Sequence, residues 1–316
     1  MTPAPYNTLP GDKLPLARAF WLRTEDGVRL RAGHWRADPR IGTVLLFAGR
    51  SEYLEKYDEV ATDLNSAGYD VLALDWRGQG LSDRLLKDPR PSHVARFSDY
   101  QRDVVELIIA AQELDLPKPW HLLAHSMGGG IGLAALADGL PVATAVFSAP
   151  MWGINLHGLP LWFAKALAGG ANRLGFGDRP AILSGGYECF ILKESYAENP
   201  LTQDGMRWSR LLAQTVQWPE IALGGATYHW VGEALAECAR LMALPAPTVP
   251  ALIGFGPTDP IISPTAIRAR AASWPGAELL ELDGCRHEPM IERNLWRTPF
   301  LEAAVAHFDQ AIPLAT

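Results

Sequence analysis

Three residue types that together can activate an oxygen nucleophile stand at separated points of this chain: Ser126 in HSMGG, Asp259 in GPTDP and His287 in CRHEP. A serine hydroxyl attacks poorly on its own. It becomes a nucleophile when an imidazole takes its proton and a carboxylate holds that imidazole in one tautomer. Ser126 lies within WHLLAHSMGGGIGLAALA, residues 120–137, where an apolar run gives way to small residues. A serine presented on a sharp strand-to-helix turn needs minimal side chains two residues to either side, the pattern G-x-S-x-G. Gly128 meets the second requirement; Ala124 stands at the first and adds one methyl group. Serine is also a favoured helix N-cap, so its place here has a purely structural explanation too. The strand before it and the partners downstream favour the nucleophile.

His287 is the base candidate because, of eight histidines, it alone follows the last strand-like run in a loop, one unit beyond an acid-bearing loop. His307 falls on the terminal helix, His34 on an early hairpin and His121 inside a strand. His125 adjoins Ser126, but neighbours on such a turn point apart, so it reads as packing or pocket wall. Asp259 would orient His287; an ordinary turn aspartate before Pro260 is the plainer reading, and Asp283 is the rival acid. A tetrahedral intermediate needs N–H donors where its oxygen turns negative. Met127, first in the helix after Ser126, offers one. The turn AGRSE after TVLLF offers the other through the backbone of Arg50, with Gly49 allowing close approach. The Arg50 side chain keeps two readings, contact with a phosphate or carboxylate and a solvated surface cation.

The elements that must position these residues follow from periodicity. A hairpin, AFWLRT and VRLRAGHW about Glu25-Asp26-Gly27, opens the chain. Apolar runs at 43–48, 70–76, 120–125, 142–149, 250–256 and 277–284 then read as buried strands. Helical spacing at 56–68, 97–114, 127–137, 227–242 and 263–274, and a last helix ending near Ala311, separates them. Strand alternating with helix implies a mostly parallel sheet with helices on both faces. In such a sheet, reactive groups gather beyond the C-terminal strand ends, which is where Ser126, Asp259, His287 and the Arg50 turn all fall. Residues 150–225 break the alternation with helix-like pieces and no strand, so the expected division is a core of 1–149 and 226–316 with a helical insertion at 150–225.

Bulk properties narrow the function. A chain of 316 residues, 48% hydrophobic, can bury a large core, and a formal charge of −7 with no basic run argues against nucleic acid. Cys189, Cys238 and Cys285 are odd in number and far apart, indicating neither a disulfide framework nor a metal site. The first 20 residues carry prolines and charge where a signal peptide needs an apolar stretch, and no run of about 18 apolar residues occurs. A soluble cytoplasmic protein is expected.

Ser, Asp, His in that chain order, together with FAGRSEYLEKYDEVATDLNSAGYDVLALDWRGQGLSDR, AHSMGG, SAPMWGI, NPLTQDGMRW, GPTDPIISP and GCRHEPMIE, resembles the serine α/β-hydrolases of the monoacylglycerol lipase and lysophospholipase group. The likeness is to the bacterial lysophospholipase L2 type among the S33 serine aminopeptidases, and it covers nearly the whole chain. It implies an α/β-hydrolase fold, a helical cap over the site, and an acyl-enzyme mechanism on a small acyl ester, a lysophospholipid or monoacylglycerol, with no cofactor or metal. The chain departs from the family at Ala124 and at Ala48-Gly49, where the family has His-Gly. The block Asp75 to Ser82 reads as a structural turn. Five of eleven tryptophans, Trp152, Trp162, Trp208, Trp218 and Trp230, fall in or beside the cap; they suit an acyl-chain wall, though most are expected to pack the cap onto the sheet. LPLWFAKALAG offers a transient membrane-surface contact. Two competitors remain: an aminopeptidase or amidase, using Glu188, Glu194, Glu198 or Glu220 to hold a substrate amine, and a non-catalytic ligand-binding protein of the same fold.

Overall fold

A computed structural model of the protein describes residues 1–12, 17–156, 158–182 and 184–311. Its strands are β1 (Thr2–Pro3), β2 (Arg18–Arg23), β3 (Arg29–Trp35), β4 (Gly42–Phe47), β5 (Tyr69–Leu74), β6 (Trp120–His125), β7 (Thr144–Ser148), β8 (Ala251–Phe255) and β9 (Ala277–Glu281). They form one sheet in the order β1-β2-β3-β5-β4-β6-β7-β8-β9, parallel from β5 through β9 and antiparallel at the β1–β3 end. Every residue of β4, β5, β6, β7 and β8 is buried. That is why these strands read as unbroken apolar runs rather than as an alternation.

Helices follow in the predicted rhythm: α1 (Asp58–Ser66), α2 (Tyr100–Glu113), α3 (Met127–Ala137), α4 (Leu161–Arg173), α5 (Phe190–Lys193), α6 (Gly205–Gln217), α7 (Tyr228–Ala243), α8 (Pro264–Ala272) and α9 (Asn294–Asp309). Two neighbouring residues of β6 show that they cover both faces. The His121 ring lies 4.8 Å from Phe308 of α9, while Leu122 meets Gly132 of α3. Successive strand residues point to opposite faces, so α9 and α3 lie on opposite sides. Arg297 of α9 forms an ion pair with Asp63 of α1 at 2.6 Å and ties those helices together on one side.

The hairpin turn closes at Gly27, whose φ of 87° glycine adopts without strain. Strand β1 was not legible, since Thr2–Pro3 owes its place to pairing with β2 and not to any local pattern. The helix expected from residue 56 begins at Asp58, because Leu54–Tyr57 form a tighter 3-10 turn.

Between β7 and α7 the described residues contain α4, α5, α6 and a 3-10 turn, Pro219–Ile221, with no strand beyond single bridges such as Ile154–Ile262. Helix α4 rests on α7, where Ala168 approaches Gly232. Helix α6 is capped by Asp204, which accepts the Met206 and Arg207 N–H groups at 3.0 Å, and Arg207 reaches Glu59 of α1 at 2.8 Å. The insertion is thereby anchored to the core at both ends.

Ala124 is fully buried at the end of β6, its methyl 3.4 Å from where a Cβ on Gly132 would stand. In urea denaturation, Ala124→Gly should cost about 1 kcal/mol or less, and Ala124→Val about 1–3 kcal/mol through overpacking. Equal losses would show that the methyl is not tightly enclosed.

Candidate active site

Ser126 joins β6 to α3 with φ 50° and ψ −117°, a conformation that a residue with a Cβ adopts only under strain on the order of 1–3 kcal/mol. The surroundings enforce it. Ser126 N–H donates to Ser148 O at 3.0 Å, and its carbonyl accepts from Gly129 N–H and Met151 N–H, each at 2.8 Å. A Cβ on Gly128 would collide with the Phe47 carbonyl, and one on Gly129 would stand 2.5 Å from Pro150 Cβ. Small residues here are a consequence of α3 starting between the ends of β4 and β7.

The loops after β8 and β9 bring the other two groups to this turn. Ser126 Oγ donates to His287 Nε2 at 2.9 Å, and His287 Nδ1 donates to Asp259 Oδ2 at 2.7 Å. Asp259 Oδ1 also accepts the N–H groups of Ile261 at 2.7 Å and Ile262 at 3.2 Å. Burial raises the Asp259 pKa, but His287 and these backbone donors outweigh it and hold the carboxyl below its usual range. Burial alone would lower His287; the Asp259 carboxylate, with help from Glu288 and Glu52, leaves it above the ordinary histidine value. All three residues are buried. Asp283 is exposed, and among the described residues only its carbonyl is engaged, by Trp296, so the rival acid makes no bond to the imidazole.

The turn after β4 is braced without the family's histidine. Trp76 Nε1 donates to Ala48 O at 2.8 Å, Gln79 Nε2 donates to Gly49 O at 3.0 Å, and Gln79 Oε1 accepts Ser51 N–H at 3.0 Å. The Gly49 N–H is held by Glu52. Trp76 and Gln79 belong to the DWRGQGLS block, so that structural turn supports the site directly. Arg50 N–H makes no hydrogen bond among the described residues. Met127 opens α3, where a helix leaves its first N–H groups without intrahelical partners.

Sequence reasoning missed the charge cluster behind the imidazole. Lys56 Nζ donates to Glu52 Oε1 and to both oxygens of Glu288, each at 2.6 Å, and all three side chains are buried. Tyr57 donates to Glu52. His125 packs against His287, the rings inclined at 52° with centroids 5.1 Å apart, and places Nε2 3.5 Å from Glu52. It is therefore packing beneath the histidine and lines neither cavity described below. Burial outweighs the nearby carboxylates and lowers the His125 pKa. Buried charges persist only when paired; here the pairing also ties the turn carrying Arg50 to the loop carrying His287. Glu52, His125 and Glu288 lie close enough to ligate a metal, with ligand atoms within 4.8 Å of one another. The Lys56 ammonium bonds both carboxylates and already supplies their positive charge. The four-residue spacing of Glu52 and Lys56 was the one available signal.

The insertion reaches the same loop. His287 N–H donates to Pro200 O at 3.2 Å, Glu288 N–H to Leu201 O at 3.0 Å, and Arg286 Nη1 to Asn199 O at 2.6 Å. NPLTQ is thus a strut for the histidine.

Two cavities meet at Ser126. One, about 280 Å³, is walled mainly by Met151, Ile154, Phe163, Leu167, Trp230 and Ile262. The other, about 390 Å³, carries Arg50, Tyr53, Glu188, Glu194, Thr215 and His287. Arg50, Ser126, Ser184 and Ile261 belong to both. Of the five tryptophans only Trp230 lines either of these two cavities; Trp152 and Trp208 are buried, Trp218 is half-buried, and Trp162 is 71% exposed. Glu198 and Glu220 are exposed and line neither cavity.

The parallel sheet, the strained serine turn and the acid and histidine on later loops define an α/β-hydrolase fold. It superimposes on a soluble variant of monoglyceride lipase from Saccharomyces cerevisiae, solved with a substrate analog, with a TM-score of 0.75, 18% identity, and 98% of this chain and 100% of that one covered. Within that fold, residues 38–294 match the Serine aminopeptidase, S33 family, and the chain belongs to it. Lysophospholipase L2 of Escherichia coli strain K12 is 33% identical over 311 residues, covering 92% of this chain and 89% of that protein. A probable lysophospholipase L2 of Haemophilus influenzae is 32% identical over 268 residues, covering 84% and 82%.

Proposed function

We propose that the protein is a serine hydrolase of carboxylic esters acting on single-chain lipid esters, with residues 150–225 as a cap over the site. The observation that carries this reading is the hydrogen-bonded chain Ser126–His287–Asp259 ending where an apolar and a polar cavity meet. The acyl chain enters the apolar cavity and the alcohol portion the polar one. Ser126 Oγ attacks the ester carbonyl as His287 Nε2 takes its proton, and Asp259 stabilises the imidazolium. The N–H groups of Met127 and Arg50 receive the oxyanion. His287 returns the proton to the departing alcohol, and water, activated by the same nitrogen, releases the fatty acid. No step calls for a cofactor. The relatives named as lysophospholipases support the substrate class, and three unpaired cysteines support a reducing, cytoplasmic compartment.

Glu188 and Glu194 on the polar wall favour a second reading, amide cleavage with a carboxylate holding a substrate amine. Rates on a monoacylglycerol and on a proline p-nitroanilide separate the two.

Among the described residues no helix is long and apolar enough to cross a membrane. Leu161, Trp162 and Leu167 of α4 are nonetheless exposed, on the element that also supplies Phe163 to the apolar cavity. This supports transient contact of the cap with a lipid surface.

Ser126→Ala should abolish hydrolysis of p-nitrophenyl esters and labelling by a fluorophosphonate while the thermal melt persists; retained turnover removes the assignment. Because the base must be neutral and its pKa is raised, activity should fall as pH drops through a value above about 6.5. An acid limb of kcat/KM lying below that value would contradict the carboxylate environment described for His287. Trp162→Asp should weaken co-sedimentation with phospholipid vesicles; unchanged sedimentation would exclude α4 as the contact.

A further inference from the structure

Arg50 differs from the buried cations Arg31 and Lys56. Arg31 bonds Glu55 and Asp75, and Lys56 bonds Glu52 and Glu288. The Arg50 guanidinium makes one hydrogen bond, Nη1 to Ser51 Oγ at 3.1 Å, and no ion pair among the described residues. The Trp230 ring, 5.6 Å from Cζ, supports it. Burial pulls its pKa below the ordinary arginine value and outweighs the attraction of Glu52, whose carboxylate is already bonded by Lys56. It forms part of the wall common to both cavities, beside Ser126.

We propose that Arg50 binds the phosphate of the substrate headgroup, so that the preferred lipid ester is a zwitterionic single-chain phospholipid and not a neutral monoacylglycerol. The proposal rests on the ester-hydrolase reading above and names the substrate class of that site. A guanidinium presents several N–H donors in a planar fork suited to phosphate oxygens, and here one of them is engaged, by Ser51 Oγ. The Arg50 backbone belongs to the turn proposed to hold the oxyanion. An anion bound by its side chain therefore lies a short linker from the ester, as a phosphate does across a glycerol. The same cavity is also lined by Glu188, exposed, and Glu194, half-buried, neither ion-paired among the described residues. One free cation beside the serine and two free carboxylates complement a phosphate followed by an amine. A neutral glycerol headgroup would leave all three charges without partners.

The test compares lysophosphatidylcholine with a monoacylglycerol of the same acyl chain, using the full-length protein, Arg50→Gln and Arg50→Lys. The ratio of kcat/KM values, phospholipid over monoacylglycerol, should fall roughly 10- to 100-fold in Arg50→Gln, the loss of charge-assisted hydrogen bonds, and recover largely in Arg50→Lys. Taking the ratio removes any disturbance of the turn common to both substrates. An unchanged ratio, or an equal loss with both substrates, overturns the proposal. The unmodified protein provides a test independent of any variant: a non-hydrolysable alkylphosphocholine should bind, by calorimetry, more tightly than a monoalkylglycerol ether of the same chain. The reverse order overturns the phosphate assignment. Absence of hydrolysis of every ester would instead refute the ester-hydrolase reading, while the calorimetric comparison still reports on Arg50.

Discussion

The strained peptide at Ser126 is the constraint on which the rest of the structure depends. With φ at 50°, the serine stands out from the strand end instead of continuing into the helix. The chain adopts this only because three backbone hydrogen bonds clamp the turn to β7, to the first turn of α3 and to the start of the insertion. The cost, on the order of 1–3 kcal/mol, is offset by the buried sheet around it. The same closeness explains Gly128 and Gly129, whose side-chain positions are already filled by the Phe47 carbonyl and by Pro150. A sharp turn of this kind leaves the hydroxyl within 2.9 Å of an imidazole delivered from another loop.

Charge around the turn is organised in two ways. Behind His287 every charge is matched: Lys56 against Glu52 and Glu288, and Asp259 against the imidazole and two backbone N–H groups. Those pairs hold the Arg50 turn and the histidine loop in register, since removing one partner would strand a buried ion. In front of Ser126, the wall carries Arg50, Glu188 and Glu194, none of them ion-paired among the described residues. Matched charges fix geometry; unmatched ones are available to a ligand. The insertion serves both sides, bracing the histidine loop through Asn199, Pro200 and Leu201 and lining the cavities with Phe163 and Glu188.

Much of this was legible in the chain. Apolar runs marked the parallel strands because a strand covered on both faces has no polar side, and chain order with loop position singled out Ser126, Asp259 and His287, which the structure brings into one hydrogen-bonded line. The methyl of Ala124 proved compatible with the turn because it points at Gly132, a pairing distant in sequence that no local pattern displays. The bracing of the Arg50 turn by Trp76 and Gln79 was hidden for the same reason, because a block read as a turn gave no hint of the neighbour it supports.

The sequence by itself determined the order of elements and the placement of the candidate residues Ser126, Asp259 and His287 at strand ends, since periodicity and turn chemistry are local properties. Only the tertiary structure decided which charges are paired. Glu52, Lys56 and Glu288 are far apart along the chain at their extremes, and pairing inside a low-dielectric interior depends on distances of a few ångströms. The same holds for Arg50, which the sequence left between a solvated cation and a ligand contact. The fold places it in a cavity wall without an ion-pair partner among the described residues, because Glu52, two residues on, is already taken by Lys56.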